Sequence, residues 1–300
     1  MIYSRLNAVF FTFWLHQKSF WILPIPDAYR PLYHHIKKGK MDLKNSTILI
    51  TGGSSGIGLE MVKQLTQEGA TLIITGRNVD TLNSAKAQYP NVHTFQSDVS
   101  KPSDIEQLYN DVIKLFPKLN IIVNNAGAMR LIDLRDSSRD IADLASEIDI
   151  NLTGTVQMVH RFLPHLLEQP TAAIVNVSSG IAYMPYSAAP IYSATKAGVR
   201  AYTRALRLQL QDTGVEVFEM IPPGVNTNLQ RDWVIQPKPS QMMDADKMVN
   251  IVVKSLKNDT LEIKPLLIKV IGTLSRIAPG MLIRFGHKEF KRFRERSKAV

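Results

Sequence analysis

Apolar and polar residues follow two different spacings from Thr47 onward. Short β-branched runs, such as "TILIT" at 47–51 and "TLIIT" at 71–75, alternate with longer stretches in which apolar residues recur at helical spacing. The short runs do not alternate strictly between apolar and polar residues, so both faces of each strand are expected to be buried. The pattern predicts an α/β fold with an open, doubly wound parallel sheet, the Rossmann fold.

Six strands are predicted in this region, with helical segments between them. A long helical stretch to about residue 168 precedes the fifth strand, and a helix containing Tyr192 follows it. No linker-like break interrupts the pattern, so residues 41–263 are predicted to form one domain. The predicted strands read TILIT, TLIIT, VHTFQ, LNIIVNN, AAIVNVSS and VEVFEMI.

The two ends of the chain have a different pattern. In residues 1–40, the apolar run "LNAVFFTFWL" is shorter than the roughly 20 residues that span a membrane, and a proline-broken polar stretch follows. We expect an N-terminal extension outside the fold, with a peripheral membrane anchor as the alternative. Residues 264–300 place apolar residues among Lys and Arg at helical spacing. They are expected to form a basic helical extension packed on the domain, with a membrane-surface or substrate-entrance element as the alternative.

Composition narrows the function classes. Hydrophobic residues make up 45% of the 300 residues, and there is no cysteine, so disulfides and thiolate metal sites are excluded. The seven histidines have no metal-ligand spacing, so no metal is predicted. The net charge of +10 is concentrated at the ends, with ten Lys/Arg against two acids in 264–300. A folded basic face for nucleic acid is not predicted, and membrane contact by the basic termini stays an alternative that is not favoured.

A glycine-rich turn follows the first predicted strand. The stretch "TGGSSGIG" places Gly52, Gly56 and Gly58 between that strand and the first helix. Such a turn lets phosphate groups approach backbone amides at a helix N-terminus. Its position early in a doubly wound pattern predicts a dinucleotide site.

A tyrosine and a lysine are spaced one helical turn apart in "YSATK". Tyr192 and Lys196 are expected on one helix face, about 6 Å apart. A free phenol titrates near pH 10, and a neighbouring cation favours its charged form. We therefore expect Lys196 to lower the pKa of Tyr192 and make it a proton donor and acceptor.

Several motifs in order resemble the classical short-chain dehydrogenase/reductase family. They are "TGGSSGIG", "NNAG" at 124–127, Asn151 in "INLTG", the Ser and Tyr-x-x-x-Lys set, and "PPGVNT" at 222–227. The resemblance covers about residues 44–228, and "IPPGVNTNL" and "PIYSATKAG" are similar to the DltE-like bacterial subgroup. It implies an oxidoreductase that transfers a hydride between a nicotinamide and a CH–OH or carbonyl carbon.

The resemblance also implies roles for individual residues. Tyr192 would exchange a proton with the substrate oxygen, Lys196 would bind the nicotinamide ribose, and Asn151 would hold a water that links Lys196 to solvent. The active serine is taken as Ser179, thirteen positions before the Tyr; Ser178 is the alternative, which strand alternation points to the other face.

The cofactor is expected to be NADP(H) rather than NAD(H). The second strand ends in Gly76 and Arg77, with no acid for a ribose 2′-hydroxyl and with a cation for a 2′-phosphate. Ser55 weakens this preference, since many NADP-specific relatives have a basic residue there, and Arg77 is alternatively a solvated loop charge. The remaining cofactor contacts that the resemblance implies are Ser54, Ile57, Asp98, Val99, Asn124, Ala126, Gly127, Pro223, Gly224, Val225 and Thr227.

The substrate is expected to be a small carbonyl or alcohol compound whose identity the sequence leaves open. Residues 228–243 are interpreted as a mobile lid, in which Trp233, Met242 and Met243 form an apolar wall of the pocket or, alternatively, pack on the domain. Further candidates for the pocket lining are Tyr183, Met184 and Tyr186. The resemblance implies a homodimer or homotetramer through helices around 147–167 and 196–212, and a cytoplasmic location. The alternatives are a catalytically idle NAD(P)-binding sensor or scaffold and an extended-type epimerase, whose usual turn spacing is not found here.

Overall fold

A computed structural model describes residues 41–138, 140–230, 233 and 236–297. Seven parallel strands form one sheet in the order β3-β2-β1-β4-β5-β6-β7. The chain order reverses between β1 and β4, which is the point where α/β sheets bind ligands. The strands are β1 Thr47–Thr51, β2 Thr71–Gly76, β3 His93–Gln96, β4 Leu119–Asn124, β5 Ala172–Val177, β6 Val215–Met220 and β7 Glu262–Ile263.

Helices cover both faces of the sheet, so the predicted doubly wound α/β architecture is confirmed. Neighbouring residues of β1 separate into two cores: Ile48 and Ile50 belong to one, and Leu49 belongs to the other. The helices are α1 Gly56–Gln67, α2 Val79–Gln88, α3 Pro102–Leu115, α4 Ile141–Ile148, α5 Gly154–Leu167, α6 Pro190–Gln209, α7 Ala245–Lys257, α8 Leu266–Ile277 and α9 Pro279–Ser297.

The stretch before β5 is less helical than the sequence pattern indicates. Residues 125–138 follow β4 as an irregular segment, and α4 begins only at Ile141, where the Asp140 carboxylate accepts the Ala142 amide. A π-helical turn, Asp149–Thr153, joins α4 to α5. Such turns widen a helix locally and are frequent at functional sites.

The C-terminal helix α8 ends at Ile277 and α9 begins at Pro279, since a proline does not continue a preceding helix. Buried Ile268 and Leu282 face the domain. Within the described part of the chain, no single helix has the length and apolar character to cross a membrane; only α8 and α9 taken as a pair, bent by 119°, meet that test. The predicted extension at 1–40 lies outside the described residues, and the proposed domain limits stay predictions.

Candidate active site

The predicted site residues converge at the carboxyl ends of β1, β4 and β5 and on the first turns of α6. Tyr192 and Lys196 are both buried on α6, and Ser179 is buried just beyond β5. Asn151 is fully buried in the π-helical turn. The fold therefore brings together four side chains from three separate segments.

Tyr192 is enclosed by apolar neighbours. It forms a small cluster with buried Met129 and Ala189, and Tyr186 and Trp233 pack against this cluster. Burial raises the pKa of Tyr192 to about 12, although a hydrogen bond with Ser179 acts in the opposite direction. The phenol therefore keeps its proton at neutral pH.

The two serines at the end of β5 have different partners. The Ser179 hydroxyl bonds to Tyr192, and it accepts the Ile181 amide at 3.3 Å. The Ser178 hydroxyl instead donates to the Glu219 carboxylate at 2.7 Å. Of the two serines, it is Ser179 that faces the tyrosine.

The Lys196 amine lies at the carboxyl end of β5. Its Nζ donates to the Val177 carbonyl at 2.8 Å and lies 5.6 Å from the centroid of the Tyr192 ring. Burial lowers the pKa of Lys196 to about 8, so the amine is still mostly protonated at neutral pH.

The structure differs from the expectation that Lys196 lowers the pKa of Tyr192. Burial is the largest cause of the raised value, and the negative charge of Glu147 raises it further. The sequence shows the spacing of Tyr192 and Lys196, but it does not show how completely water is excluded from both groups.

Asn151 connects the π-helical turn to the site. Its Oδ1 accepts the Ala128 amide at 2.8 Å, and its Nδ2 donates to the Ala128 carbonyl at 2.8 Å and to Thr195 at 3.2 Å. A Cβ atom at Gly127 would lie 3.1 Å from the Asn151 Oδ1 and 3.6 Å from the Lys196 Nζ. Gly127 therefore separates the two side chains and lies close to both.

The glycine-rich turn has the shape that a dinucleotide requires. Gly56 has a φ of +53°, which favours glycine, and a Cβ at Gly58 would lie only 2.2 Å from the Gly52 carbonyl. Ser55 caps α1 without a side-chain hydrogen bond to the helix amides. The first-turn amides have no partner within the helix and can bind phosphate. The residues present thus fit the pyrophosphate of a nicotinamide dinucleotide.

Thr51 and Asn125 hold this turn, and sequence reasoning missed both. The Asn125 Nδ2 donates to the Thr51 carbonyl at 2.9 Å and to the Gly52 carbonyl at 3.2 Å. The Thr51 hydroxyl accepts the Asn125 and Ala126 amides, each at 3.0 Å. The motif "NNAG" was the available signal for Asn125, because a side-chain amide directly after a buried strand can donate hydrogen bonds to the backbone carbonyls of a neighbouring turn.

Asn124, one of the expected cofactor contacts, also links neighbouring strands. It is buried within the sheet, where its Nδ2 donates to the Asn176 Oδ1 at 2.8 Å, and Asn176 donates to Thr203 at 3.1 Å. This chain of bonds ties β4 and β5 to α6. Asn124 therefore links β4 to β5 within the sheet, and its role as a cofactor contact stays a prediction.

The expected adenosine contacts surround the ends of β2 and β3. Arg77 is exposed, and the Ser54 hydroxyl lies 3.0 Å from that of Thr81 beside Gly76. The Asp98 Oδ1 accepts the Ser100 amide at 3.0 Å and the Ser100 hydroxyl at 2.7 Å. Val99 is buried, and its carbonyl packs against Gly154.

The segment after β6 faces the glycine-rich turn. A Cβ at Gly56 would lie 3.3 Å from the Thr227 Cβ. Val225 is buried and forms a bridge with Met243, while Met242 packs on Gly224 beside Pro223. Both methionines therefore pack against this segment.

The predicted pocket wall is supported in part. The Trp233 indole donates to the Met129 carbonyl at 3.1 Å, so Trp233 lies beside the Tyr192 cluster together with Tyr186. Tyr183 is placed elsewhere, with the Arg200 guanidinium 4.0 Å from its ring centroid and Gly272 of α8 against its edge. Met184 is half-buried at the end of the turn after Ser179.

The predicted lid is described only in part. The residues of the lid that lie outside the described part of the chain are 231, 232, 234 and 235.

Glu147 was not predicted as a site residue. It is fully buried on α4, and its Oε1 accepts the Arg130 amide at 2.7 Å. The Oε2 is buried without a hydrogen-bond partner among the described residues, and burial raises the pKa of this carboxyl. A glutamate in the apolar pattern of a helix was the available signal.

Comparisons with known proteins agree with this geometry. Residues 46–238 match the family model described as short chain dehydrogenase. The chain is 46% identical over 191 residues to the uncharacterized oxidoreductase DltE of Bacillus subtilis (strain 168), covering 64% of this chain and 76% of that protein.

Two solved structures have similar folds. A short chain dehydrogenase from Burkholderia cenocepacia J2315, in complex with NADP, matches with a TM-score of 0.70 and 22% identity, over 83% of this chain and 98% of that one. A short chain dehydrogenase/reductase from Burkholderia phymatum, in complex with NAD, matches with a TM-score of 0.67 and 21% identity, over 77% and 93% of the two chains.

Proposed function

The chain belongs to the short-chain dehydrogenase family, and on that premise we propose that it is an NADP(H)-dependent oxidoreductase acting through Tyr192, Lys196, Ser179 and Asn151. The family and the oxidoreductase names of its relatives support chemistry at a CH–OH or carbonyl carbon. The single observation that carries the assignment is the convergence of Ser179 and Lys196 on Tyr192 beside a phosphate-binding turn.

The residues have distinct roles in this proposal. The Tyr192 hydroxyl gives its proton to the oxygen of a carbonyl being reduced, or takes one from an alcohol. The Ser179 hydroxyl donates a hydrogen bond to the same substrate oxygen and stabilises the negative charge that develops there. When bound, the nicotinamide supplies or accepts the hydride.

Lys196 and Asn151 support the proton donor. The Lys196 ammonium would bind ribose hydroxyl groups of the cofactor. Its positive charge opposes the larger effect of burial and so favours the phenolate that forms when Tyr192 gives up its proton. Asn151 holds a water between Lys196 and solvent, through which the proton is replaced. Carbonyl reduction is the direction in which a phenol with a pKa of about 12 acts without first losing its proton.

The preference for NADP(H) rests on Arg77. It is exposed at the end of β2, where Ser54 and Thr81 also carry hydroxyl groups, and the strand end has no acid to repel a 2′-phosphate. The fold relatives were solved with NADP in one case and NAD in the other, so the preference needs its own measurement.

Parallel titrations with NADPH and NADH test the cofactor assignment. Arg77→Ala is expected to weaken NADPH binding by about tenfold or more, because a charged hydrogen bond to the phosphate is lost, and to leave NADH binding unchanged. Lys118→Ala is the matched control, since it removes an exposed cation just before β4, at the amino-terminal ends of the strands and away from the predicted cofactor cleft. Equal losses for both cofactors would contradict the role of Arg77.

A panel of carbonyl compounds with NADPH tests the activity itself. Wild-type protein is expected to oxidise NADPH with at least one small carbonyl substrate. Tight NADPH binding without turnover on a broad panel, with Tyr192→Phe indistinguishable from wild type, would favour a cofactor-binding sensor or scaffold instead.

We also propose a homodimer or homotetramer in the cytoplasm, where NADPH is the common reductant. Ile148 and Leu208, which lie in the predicted contact regions 147–167 and 196–212, are both exposed, and a partner subunit would cover them. A monomer in a sedimentation measurement at micromolar concentration would contradict the oligomer, and cell fractionation tests the location.

A further inference from the structure

Helices α8 and α9 expose an unusual amount of apolar surface. Seven of the fifteen large hydrophobic side chains that are exposed in the described residues lie on these two helices. Phe285 is 67% exposed and Leu266 is 76% exposed, so most of each side chain is in contact with solvent and not with the core. The others are Leu267, Val270, Ile277, Met281 and Ile283. Apolar patches of this kind commonly mark interaction sites.

The opposite face of the same helices is already packed on the domain. Ile268 is buried, and its Cδ1 would lie 2.6 Å from a Cβ atom at Gly180. On α9, Gly286 lies against the Pro185 carbonyl, and His287 Nδ1 lies 3.0 Å from the Ser187 hydroxyl. α8 is therefore apolar on the face that packs and on the face that does not, and the domain core explains only the first.

The segment that contains these exposed side chains also carries a strong positive charge. Residues 264–300 contain ten Lys/Arg against two acids. On α9, Met281, Phe285 and Lys288 recur at positions that share one helix face, and Arg284 precedes Phe285; all four are exposed. Exposed apolar and aromatic side chains among cations are typical of helices that lie in the interface of a bilayer.

We propose that the exposed face of α8 and α9 docks on an anionic lipid surface. The apolar side chains enter the boundary between headgroups and acyl chains, and the lysines and arginines contact lipid phosphates. The helices lie on the bilayer, since no single described helix is long and apolar enough to cross it. A second copy of this chain fits less well, because a symmetric contact would bring the same cationic face opposite itself. The proposal does not depend on the oxidoreductase activity.

Vesicle co-sedimentation of the full-length chain tests the docking. Vesicles of phosphatidylcholine with phosphatidylglycerol are compared with vesicles of phosphatidylcholine alone, and we expect at least tenfold stronger binding to the anionic ones. Phe285→Ser is expected to lower that binding by about tenfold, because a fully inserted aromatic side chain is lost. Leu115→Ser is the matched control, since Leu115 is 61% exposed at the end of α3, and its binding should equal that of wild type.

The electrostatic part is tested separately. Arg284→Gln and Lys288→Gln are each expected to weaken binding to anionic vesicles by about fivefold, and added salt should do the same for wild type. The proposal would be overturned if wild-type protein did not co-sediment with the anionic vesicles. Equal binding of wild type and Phe285→Ser would overturn it too, and would locate the lipid contact elsewhere in the chain. Loss of a dimer in Phe285→Ser without vesicles, with vesicle binding unchanged, would identify a second copy as the occupant and would also overturn it.

Discussion

Ser178 and Ser179 are neighbours in the chain, but their side chains belong to two different polar clusters. Ser179 bonds to Tyr192 above Lys196, whereas Ser178 bonds to Glu219, which also accepts from Arg200 at 2.9 Å. Each cluster contains a serine, a cation on α6 and a tyrosine near that cation. In the Ser179 cluster the cation is Lys196 and the tyrosine is Tyr192. In the Ser178 cluster they are Arg200 and Tyr183, whose ring centroid lies 4.0 Å from the Arg200 guanidinium. The clusters differ in how their charges are compensated.

In the Ser178 cluster, a buried anion and a buried cation neutralise each other. Glu219 is fully buried, and although burial raises the pKa of its carboxyl, Arg200 and Ser178 oppose the rise. In the Ser179 cluster, the hydrogen bonds of the described residues give Lys196 one partner, the neutral Val177 carbonyl. Burial lowers the pKa of Lys196 and raises that of Tyr192. Removing one partner of a buried ion pair destabilises a fold, while groups with strongly shifted pKa values in a cleft are candidates for proton chemistry.

The largest expected difference between the clusters concerns their tyrosines. Tyr192→Phe is expected to lower kcat by about 10²–10⁴-fold, because the proton donor is removed while the ring still fills its site. Tyr183→Phe removes the same hydroxyl group from the compensated cluster, and kcat should stay within about threefold of wild type. Steady-state kinetics with NADPH and an active carbonyl compound measure kcat for both variants. Equal losses of kcat would contradict the assignment of proton transfer to the Ser179 cluster.

The next largest effect is expected on stability. Arg200→Met leaves Glu219 buried without its cation and should lower the free energy of unfolding by about 3 kcal/mol near neutral pH. Arg204→Met, one turn further along α6 at a half-exposed position, is the control and should cost less than about 1 kcal/mol. Urea unfolding measures both variants.

The pH dependence of Arg200→Met sharpens the same test. Without the arginine, the pKa of Glu219 rises further above its ordinary 4.5, so the folded variant binds its proton more tightly than the unfolded chain does. The stability deficit should therefore be smallest in acid and grow as the pH rises through the raised pKa. A deficit that is independent of pH would point to lost packing instead.

The smallest predicted effect is a shift in the pH profile. The charge of Glu147 raises the pKa of Tyr192, so Glu147→Gln should lower that pKa and move the rising limb of alcohol oxidation to lower pH. The amide oxygen of Gln can still accept from Arg130, which preserves the local structure. Asp149→Asn, an exposed acid on the same helical stretch, is the control and should leave the profile unchanged.

Local patterns predicted the sheet and the order of the motifs well. The apolar runs correspond to β1, β2, β4, β5 and β6, because strands buried on both faces need continuous apolar sequence, and the mixed stretch "VHTFQ" corresponds to the partly exposed edge strand β3. Strand alternation also separated Ser179 from Ser178, and in the structure their side chains have different partners. The two-residue strand β7 was missed, since two residues carry no periodicity.

Interactions between distant segments were not predictable in the same way. The Arg200–Glu219 pair depends on the register of β6 against β5 and on the rotation of α6, and neither is visible in the sequence. The raised pKa of Tyr192 was missed for a related reason, because burial arises from Met129, Ala189 and Trp233, which come from three separate segments. Spacing predicts which groups share a helix face, and tertiary packing determines their proton affinity.

The most direct test compares Ser179→Ala with Ser178→Ala in kinetics and urea unfolding. Ser179→Ala should lower kcat by about 10²-fold or more, because a hydrogen bond to the developing oxyanion is lost, and should lower the free energy of unfolding by no more than about 1 kcal/mol, because only the neutral Tyr192 hydroxyl loses a partner. Ser178→Ala should keep kcat within about threefold and lower the free energy of unfolding by about 1–3 kcal/mol, because buried Glu219 loses a donor. The reverse pattern, or equal effects of the two substitutions on kcat, would contradict the assignment of chemistry to one cluster and stability to the other.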